Sequence, residues 1–470
     1  MIRARAALVA IAACVAALLA AGPSTATTPG HWALVAPDSS SVWVSGVART
    51  PDGVLHVAHA RLNGTTYDLD HTPIAPSGAV GTTTVITTGW STLFDSALVV
   101  DGGGLRALFG GTRAPTPTGV QEGLITQTAP ADASTWSDPV TVYTRDLAGR
   151  PPGAAMGPGG LLTTWYTSDQ TAVHAGLDPN VDAHEYRDAS GGKCCNTRQN
   201  IAALPAGPAL VAWCTSSDAP NGTWVQSVDP SGGAPAGPPS VMPSSTDAAG
   251  GRRCFAGRTA VTARTGGGYF VADTRGDDQQ VLVWQAGSKS SRPLAKGNYA
   301  AKAVAIAPTP DGRIWVGWME DSRRVAVHLR RSNTKGTKFG EEIELKGPPA
   351  AATSDQLEIS AQVGGTLDVI GHFTDSGGSK LWHTQALPRL TLEAAPLKFS
   401  RSAAHAVKFT VLDAGAGIKG ATVSAAGKHA ITNAAGRATI ALGPFSKKRK
   451  LAATASKKGY AGDSVVLKAG

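Results

Sequence analysis

Apolar and polar residues alternate along this chain in short runs bounded by glycine, proline, aspartate and asparagine, the period-two signature of strands joined by tight turns. The clearest unit is residues 309–321, TPDGRIWVGWMED, a Pro-Asp-Gly turn feeding an apolar strand that ends in two carboxylates. A weakly apolar strand, KAVAIAP, precedes it at 302–308, so the two predict a β-hairpin. The unit recurs as RTPDGVLHVAHAR from Arg49, VDGGGLRALFGG from Val100, GPGGLLTTWYTSD from Gly157, PAGPALVAWCTSSD from Pro205, TGGGYFVADTRGDD from Thr265 and QVGGTLDVIGHFTD from Gln362. The turn glycines Gly53, Gly103, Gly160, Gly207, Gly267, Gly312 and Gly365 are spaced by 45 to 60 residues. A four-stranded propeller blade takes about 40 to 50 residues, so one hairpin plus two outer strands fits each interval. The expected fold is all-β, a seven-bladed β-propeller over 31–388 followed by a small β-sandwich over 391–470. Counts of six or eight stay open, because the third and fourth repeats have vague outer strands.

The sixth repeat reads as strands at 302–308, 313–319, 324–329 and 341–345. The seventh is short of an outer strand, since Pro388 and a change of composition follow 379–387. The run HWALVA at 31–36 has no partner of its own and is expected to complete that last blade, removing two exposed sheet edges at once.

Composition adds a compartment. Arg3 and Arg5 precede an uncharged Ala/Leu/Val run to Ala21, broken by Gly22-Pro23-Ser24, which reads as a secretory signal over 1–26. Cys14 in IAAC offers an alternative lipoprotein reading, although the apolar run continues past it. The mature chain is expected to be secreted, extracellular or associated with the cell surface. Glycine and proline, 56 and 30 of 470 residues, suit many turns.

In such a blade the glycine turns lie on one face, and the second strands end on the other. There the sequence places Arg61, Asp169, Asp218, Asp273 with Arg275, Asp277 and Asp278, Glu320 with Asp321, and Asp375. These are ligand-binding candidates: acids around a funnel suit a cationic ligand or paired-carboxylate chemistry. They are equally suited to capping turns. Trp165, Trp213, Trp284, Trp315 and Trp318 fall at strand positions where packing between blades accounts for them. Four cysteines, Cys194, Cys195, Cys214 and Cys254, are even in number in an exported chain and favour disulfides. The expected bonds join Cys194 or Cys195 to Cys214 and its neighbour to Cys254. A zinc site is the other option, weakened because adjacent cysteines supply two tetrahedral corners poorly. No metal or cofactor is expected. His56 and His59 are three apart on a strand and point to opposite faces.

Residues 391–470 break the repeat and carry thirteen lysines and arginines against three acids, a surplus of ten in a chain whose whole surplus is nine. The basicity is therefore local. Lys447, Lys448, Arg449 and Lys450, with Lys457 and Lys458, could hold an anionic cell-wall polymer, a phospholipid surface or, without specificity, nucleic acid; a solvated face is the plainer reading. No specific nucleic-acid partner is expected, and the chain is expected to be a monomer.

Two resemblances follow from particular residues. A strand ending in Asp413, then GATV at 420–423, NAAG at 433–436 and KKGY at 457–460 resemble carboxypeptidase-regulatory-like and bacterial Ig-like surface modules, which implies a non-catalytic spacer or adhesion domain. The propeller is similar at fold level to the sialidase-like superfamily: ADASTWSDPVTV at 131–142 keeps Thr135 and Trp136 of that superfamily's Asp-box, with Ala131 and Ala133 where Asp and Gly belong. The family's catalysis needs an arginine triad, a Tyr–Glu pair and an acid–base Asp. Arg61, Arg113 and Arg275, and Tyr166 with Glu185, are the available residues, and no spacing selects them. The chain lacks GxSxG, HExxH, P-loop and dinucleotide fingerprints. It therefore reads as a binding protein whose propeller recognises an extracellular carbohydrate or protein, with the basic module as spacer or tether. The alternative is a sialidase-like glycoside hydrolase or lyase working in the propeller funnel.

Overall fold

The computed structural model describes residues 28–37, 45–116, 119–143, 152–166, 173–178, 187–188, 196–215, 221–246, 258–275, 280–294, 301–320 and 325–470. The N-terminal run expected to be an export signal, with Cys14, lies outside them. Every helix or strand among the described residues is a β-strand, as the alternation predicts.

The first sheet is an antiparallel meander of seven strands: Gly46–Arg49, Leu55–Asn63, Thr66–Ile74, Thr84–Asp101, Gly104–Thr116, Gly119–Ala129 and Val140–Tyr143. Its fourth strand is 18 residues long. The first part of that strand pairs with Thr66–Ile74 and the second part with Gly104–Thr116, and the register shifts around Trp90. One strand thus serves as the outer edge of one meander and the inner edge of the next. Three four-stranded meanders follow, beginning at Gly153–Gly157, Asn196–Ala202 and Ala260–Ala263. The outer strands of the first two are only Arg187–Asp188 and Ser240–Val241, which explains why the sequence marks them faintly.

The next sheet consists of Ala301–Pro308, Ile314–Glu320, Ala326–Arg331 and Ile343–Lys346, within about two residues of the expected strands. Gly312 has φ 82°, the left-handed value its turn demands, and the other six turn glycines also have positive φ. In the last sheet Ala33–Ala36 lies antiparallel against Gly378–Ala386, beyond Leu367–Asp375 and Thr353–Ala361. The orphan N-terminal run therefore pairs where the edge argument places it. The first strand of each meander packs against the first strand of the next, and Thr353–Ala361 returns to Gly46–Arg49.

Apolar side chains between successive sheets form the cores. Trp165, Trp213, Trp284, Trp315 and Trp318 are all buried there, as packing residues. After Pro388 two further sheets share a core of Phe399, Val407, Phe409, Val411, Val423, Ile440, Leu451 and Leu467. Asp413 ties this unit to the preceding sheets: Arg331 Nη1 reaches its carboxylate at 2.8 Å and Arg313 Nη1 at 3.5 Å, with Asp311 against both arginines. The clasp lies on the glycine-turn side of the meanders, so the opposite rim stays clear of it.

Candidate functional site

Each strand-end candidate whose side chain is described is engaged locally. Arg61, about a third exposed, donates to Asp70 at 2.6 Å and Asp68 at 2.9 Å, both nearly inaccessible on the adjacent strand. The hydrogen bond to Asp70 is the first cause raising the Arg61 pKa. Asp273 is buried and accepts from the Thr223 hydroxyl of the neighbouring sheet and from the Thr274 amide at 2.7 Å. Glu320 is buried against His328 Nε2 at 3.0 Å, while His328 Nδ1 meets Glu342 at 2.8 Å. Burial opposes a charge on that ring, but Glu342 and Glu320 outweigh it and raise its pKa. Trp318 stacks on the same imidazole. Asp375 caps its own hairpin, accepting from Gly377 N and from Lys380 Nζ at 2.7 Å each. Arg275 ends its strand opposite Gln280. Asp169, Asp218, Asp277, Asp278 and Asp321 lie outside the described residues.

Of the cysteines, Cys214 is wholly buried in Ala209–Thr215 and is disulfide-bonded; Cys194, Cys195 and Cys254 lie outside the described residues. His56 and His59 do face opposite ways, His56 meeting His71 at 2.9 Å and His59 meeting Thr72 at 3.1 Å. Ala133 adopts φ 52°, a glycine-favouring conformation at the very position where the Asp-box has glycine. In the C-terminal unit Lys447, Lys448, Arg449, Lys450 and Lys458 are exposed. Arg449 lies over the Phe445 ring, and Lys457 donates to Lys419 O at 2.6 Å.

The constellation that sequence reasoning missed lies between the first strands of the meanders. Arg258, just before Ala260–Ala263, reaches Pro152 O at 3.1 Å, Ser96 O, and Glu358 at 3.7 Å. It therefore spans four separate stretches of the chain. Asp95, buried, adds a second carboxylate to its electrostatic surroundings. Burial pushes Glu358 up to about 7 although Arg258 pulls the other way. The associated cavity is about 40 Å³, lined by Asn200, Arg258, Thr259, Ala303, Leu357 and Glu358 among others. Glu358 within the strand Thr353–Ala361 was the available signal, but its partner is a hundred residues away.

No protein-family model matches the chain, and no curated protein matches it. Among solved structures, it is similar to a protein of unknown function from Dyadobacter fermentans DSM 18053, at 11% identity and TM-score 0.47, over 77% of this chain and 98% of that one. It is also similar to the Hadza microbial sialidase Hz136, at 12% identity and TM-score 0.44, over 76% and 68%. A third is the α-L-arabinanase of Penicillium chrysogenum complexed with arabinobiose, at 12% identity and TM-score 0.43, over 64% and 98%. Likenesses this distant identify no family, and the functional reading rests on this chain's own residues.

Proposed function

We propose that this chain is a secreted or cell-surface binding protein: a seven-bladed propeller over 31–388 recognises an extracellular carbohydrate or protein, and a basic Ig-like sandwich over 391–470 spaces or tethers it. The observation that carries the reading is the engagement of Arg61, Asp273, Glu320 and Asp375 by partners inside the protein. Side chains committed in this way shape a rim without presenting a free acid–base pair. A count of seven is supported by the sharing of Thr84–Asp101 between two meanders, and closure of the ring by the pairing of Ala33–Ala36 with the last sheet. The clasp at Asp413 occupies the glycine-turn side, which leaves the opposite rim for the ligand. The expected disulfides of Cys194 and Cys195 with Cys214 and Cys254 would brace that rim.

The hydrolase alternative has one specific observation in its favour, a carboxyl at Glu358 raised to about 7 beside Arg258, whose electrostatic surroundings also include Asp95. Volume argues against it. Ligand sites usually enclose roughly 300–1,000 Å³, whereas about 40 Å³ is the scale of a bound water. Passing the purified secreted protein over a panel of immobilised polysaccharides and cell-surface proteins should show retention on a restricted subset, competed by the soluble form of the same ligand. Uniform retention explained by charge alone, or none, would remove the basis for a recognising propeller.

A further inference from the structure

Three of the thirteen lysines and arginines of the C-terminal unit form a row that the sequence cluster touches only at one end. Lys398 in Lys398–Phe399 pairs in parallel with Lys468 in Asp463–Ala469, and Lys468 pairs antiparallel with Lys450 in Arg449–Ser456. Directly paired residues project to the same side of a sheet, on strands about 4.8 Å apart. Their neighbours Phe399, Ala469 and Leu451 point into the core, so the three lysines point outward, and all three are exposed. Three ammonium groups therefore stand abreast across three adjacent strands.

Nothing among the described residues neutralises them: none of the three ammonium groups makes a hydrogen bond or ion pair there. The outward positions continuing from the row are Val466, Ser464, Ala452, Thr454 and Ser456, without an acid. The one acid of these strands, Asp463, accepts from Leu392 N at 2.7 Å. Other cations of the unit are occupied, Lys428 on Ala441 O at 2.7 Å and Arg401 on Ser446 O at 2.8 Å. Like charges directly opposite on paired strands destabilise a sheet. This row contains two such pairings in succession, a cost that an anionic ligand would reverse.

The geometry points to a binding surface for a linear carboxylated polysaccharide laid across these strands, with Lys398, Lys468 and Lys450 meeting successive acidic groups. Charge complementarity selects a polymer with closely repeated negative charge. The face itself selects among polymers. The outward positions of these three strands hold no aromatic ring on which bases would stack, and the row's cations are lysine point charges with no arginine fork for phosphate. Val466, about half exposed, offers a flat apolar spot of the kind a sugar ring can cover. This inference deepens the tether half of the proposed function and is independent of what the propeller binds.

The test titrates the full-length protein with polygalacturonate over a range of salt concentrations. One variant carries Lys398→Gln, Lys450→Gln and Lys468→Gln; a control with the same charge change carries Lys447→Gln, Lys448→Gln and Lys458→Gln. The row variant is expected to bind about tenfold more weakly, from three surface ionic contacts, and to lose most of the salt dependence. The control should lose no more than about twofold, since one contact at most is disturbed. Thermal unfolding supplies a second readout: removing the repulsion should leave the row variant at least as stable as the parent. Equal losses in the two variants would reduce the row to net charge and overturn the site, as would no binding by the parent. Equally tight binding of single-stranded DNA of matched charge would overturn the choice of polysaccharide. If the triple variant fails to fold, Lys468→Gln alone, the centre of the row, is expected to weaken binding about twofold to threefold, and an unchanged affinity would sink the proposal. Retention of neutral ligands found with the panel reports on the propeller separately.

Discussion

Replacing Asp368 by alanine is expected to lower the unfolding free energy by about 3–5 kcal/mol, the range for stripping one partner from a buried ion pair. The reason is a saturated carboxylate with no solvent access. One oxygen accepts from His383 Nε2 at 2.8 Å and Gln385 Nε2 at 2.9 Å; the other accepts from Arg49 Nη2 at 2.5 Å and Gln362 Nε2 at 2.7 Å. Arg49 belongs to the first sheet and the other three donors to the last, so this one side chain joins the two ends of the succession of meanders. Alanine would leave a mostly buried guanidinium without its carboxylate and take one acceptor from each of three further donors, of which Gln362 and Gln385 keep Pro76 O. Asparagine keeps the shape without the charge and should recover part of the loss. Urea unfolding of the three proteins measures it, and a change below about 1 kcal/mol for the alanine variant would be that of an ordinary surface pair, which would dissolve this view of the closure.

Acid is the second large lever. Stability should fall steeply from pH 7 to pH 4, because His59 and His71 are held down to about 4 and His372 to about 3. The first cause in each case is burial, with neighbouring positive groups adding to it. All three are buried in the first and last sheets; His372 meets the Ser45 hydroxyl at 3.3 Å. Their folded-state values lie below the unfolded value of about 6.5, so the unfolded chain takes up protons first as pH falls. Stability is therefore complete above pH 6.5 and is lost down to each folded value. A shift from 6.5 to about 4 corresponds to on the order of 3 kcal/mol. His328 acts in the opposite sense: its raised value contributes stability that is complete below about 6.5 and lost as pH rises through the folded value. Glu358, raised from 4.5 to about 7, acts in the same sense as His328, its contribution being lost as pH rises across that range; the three depressed histidines outweigh both on the acid side, and the sum places the maximum near neutrality. Substituting His372 by glutamine should reduce the slope of stability against pH between 6 and 4 by about one proton, or about 1.4 kcal/mol per pH unit. An unchanged slope in denaturant titrations would show that the ring titrates freely.

Local rules made the turns and hairpins legible. Gly53, Gly312 and their counterparts mark turns because only a left-handed backbone closes them, and that requirement is visible in one residue. The closure by Ala33–Ala36 was legible as an edge needing a partner. Thr84–Asp101 was not recognisable as one strand shared by two meanders, because Gly89, at φ 78° beside the register shifts around Trp90, reads in the sequence as a strand end and not as an irregularity within one strand. The strand-end acids were visible as residues but not as pairs. Their partners depend on register across strands and sheets, as with Asp273 and Thr223, fifty residues apart. Arg258 with Glu358 illustrates the same limit across the whole ring.

The most direct test of the central claim, a propeller that binds without cleaving, is to incubate the purified protein with whichever glycan retains it and count new reducing ends and unsaturated products over time. The account predicts retention with the polymer recovered at its original length. Product formation that disappears in the Glu358→Gln variant while retention persists would contradict it, making the carboxyl between the meanders a catalytic group.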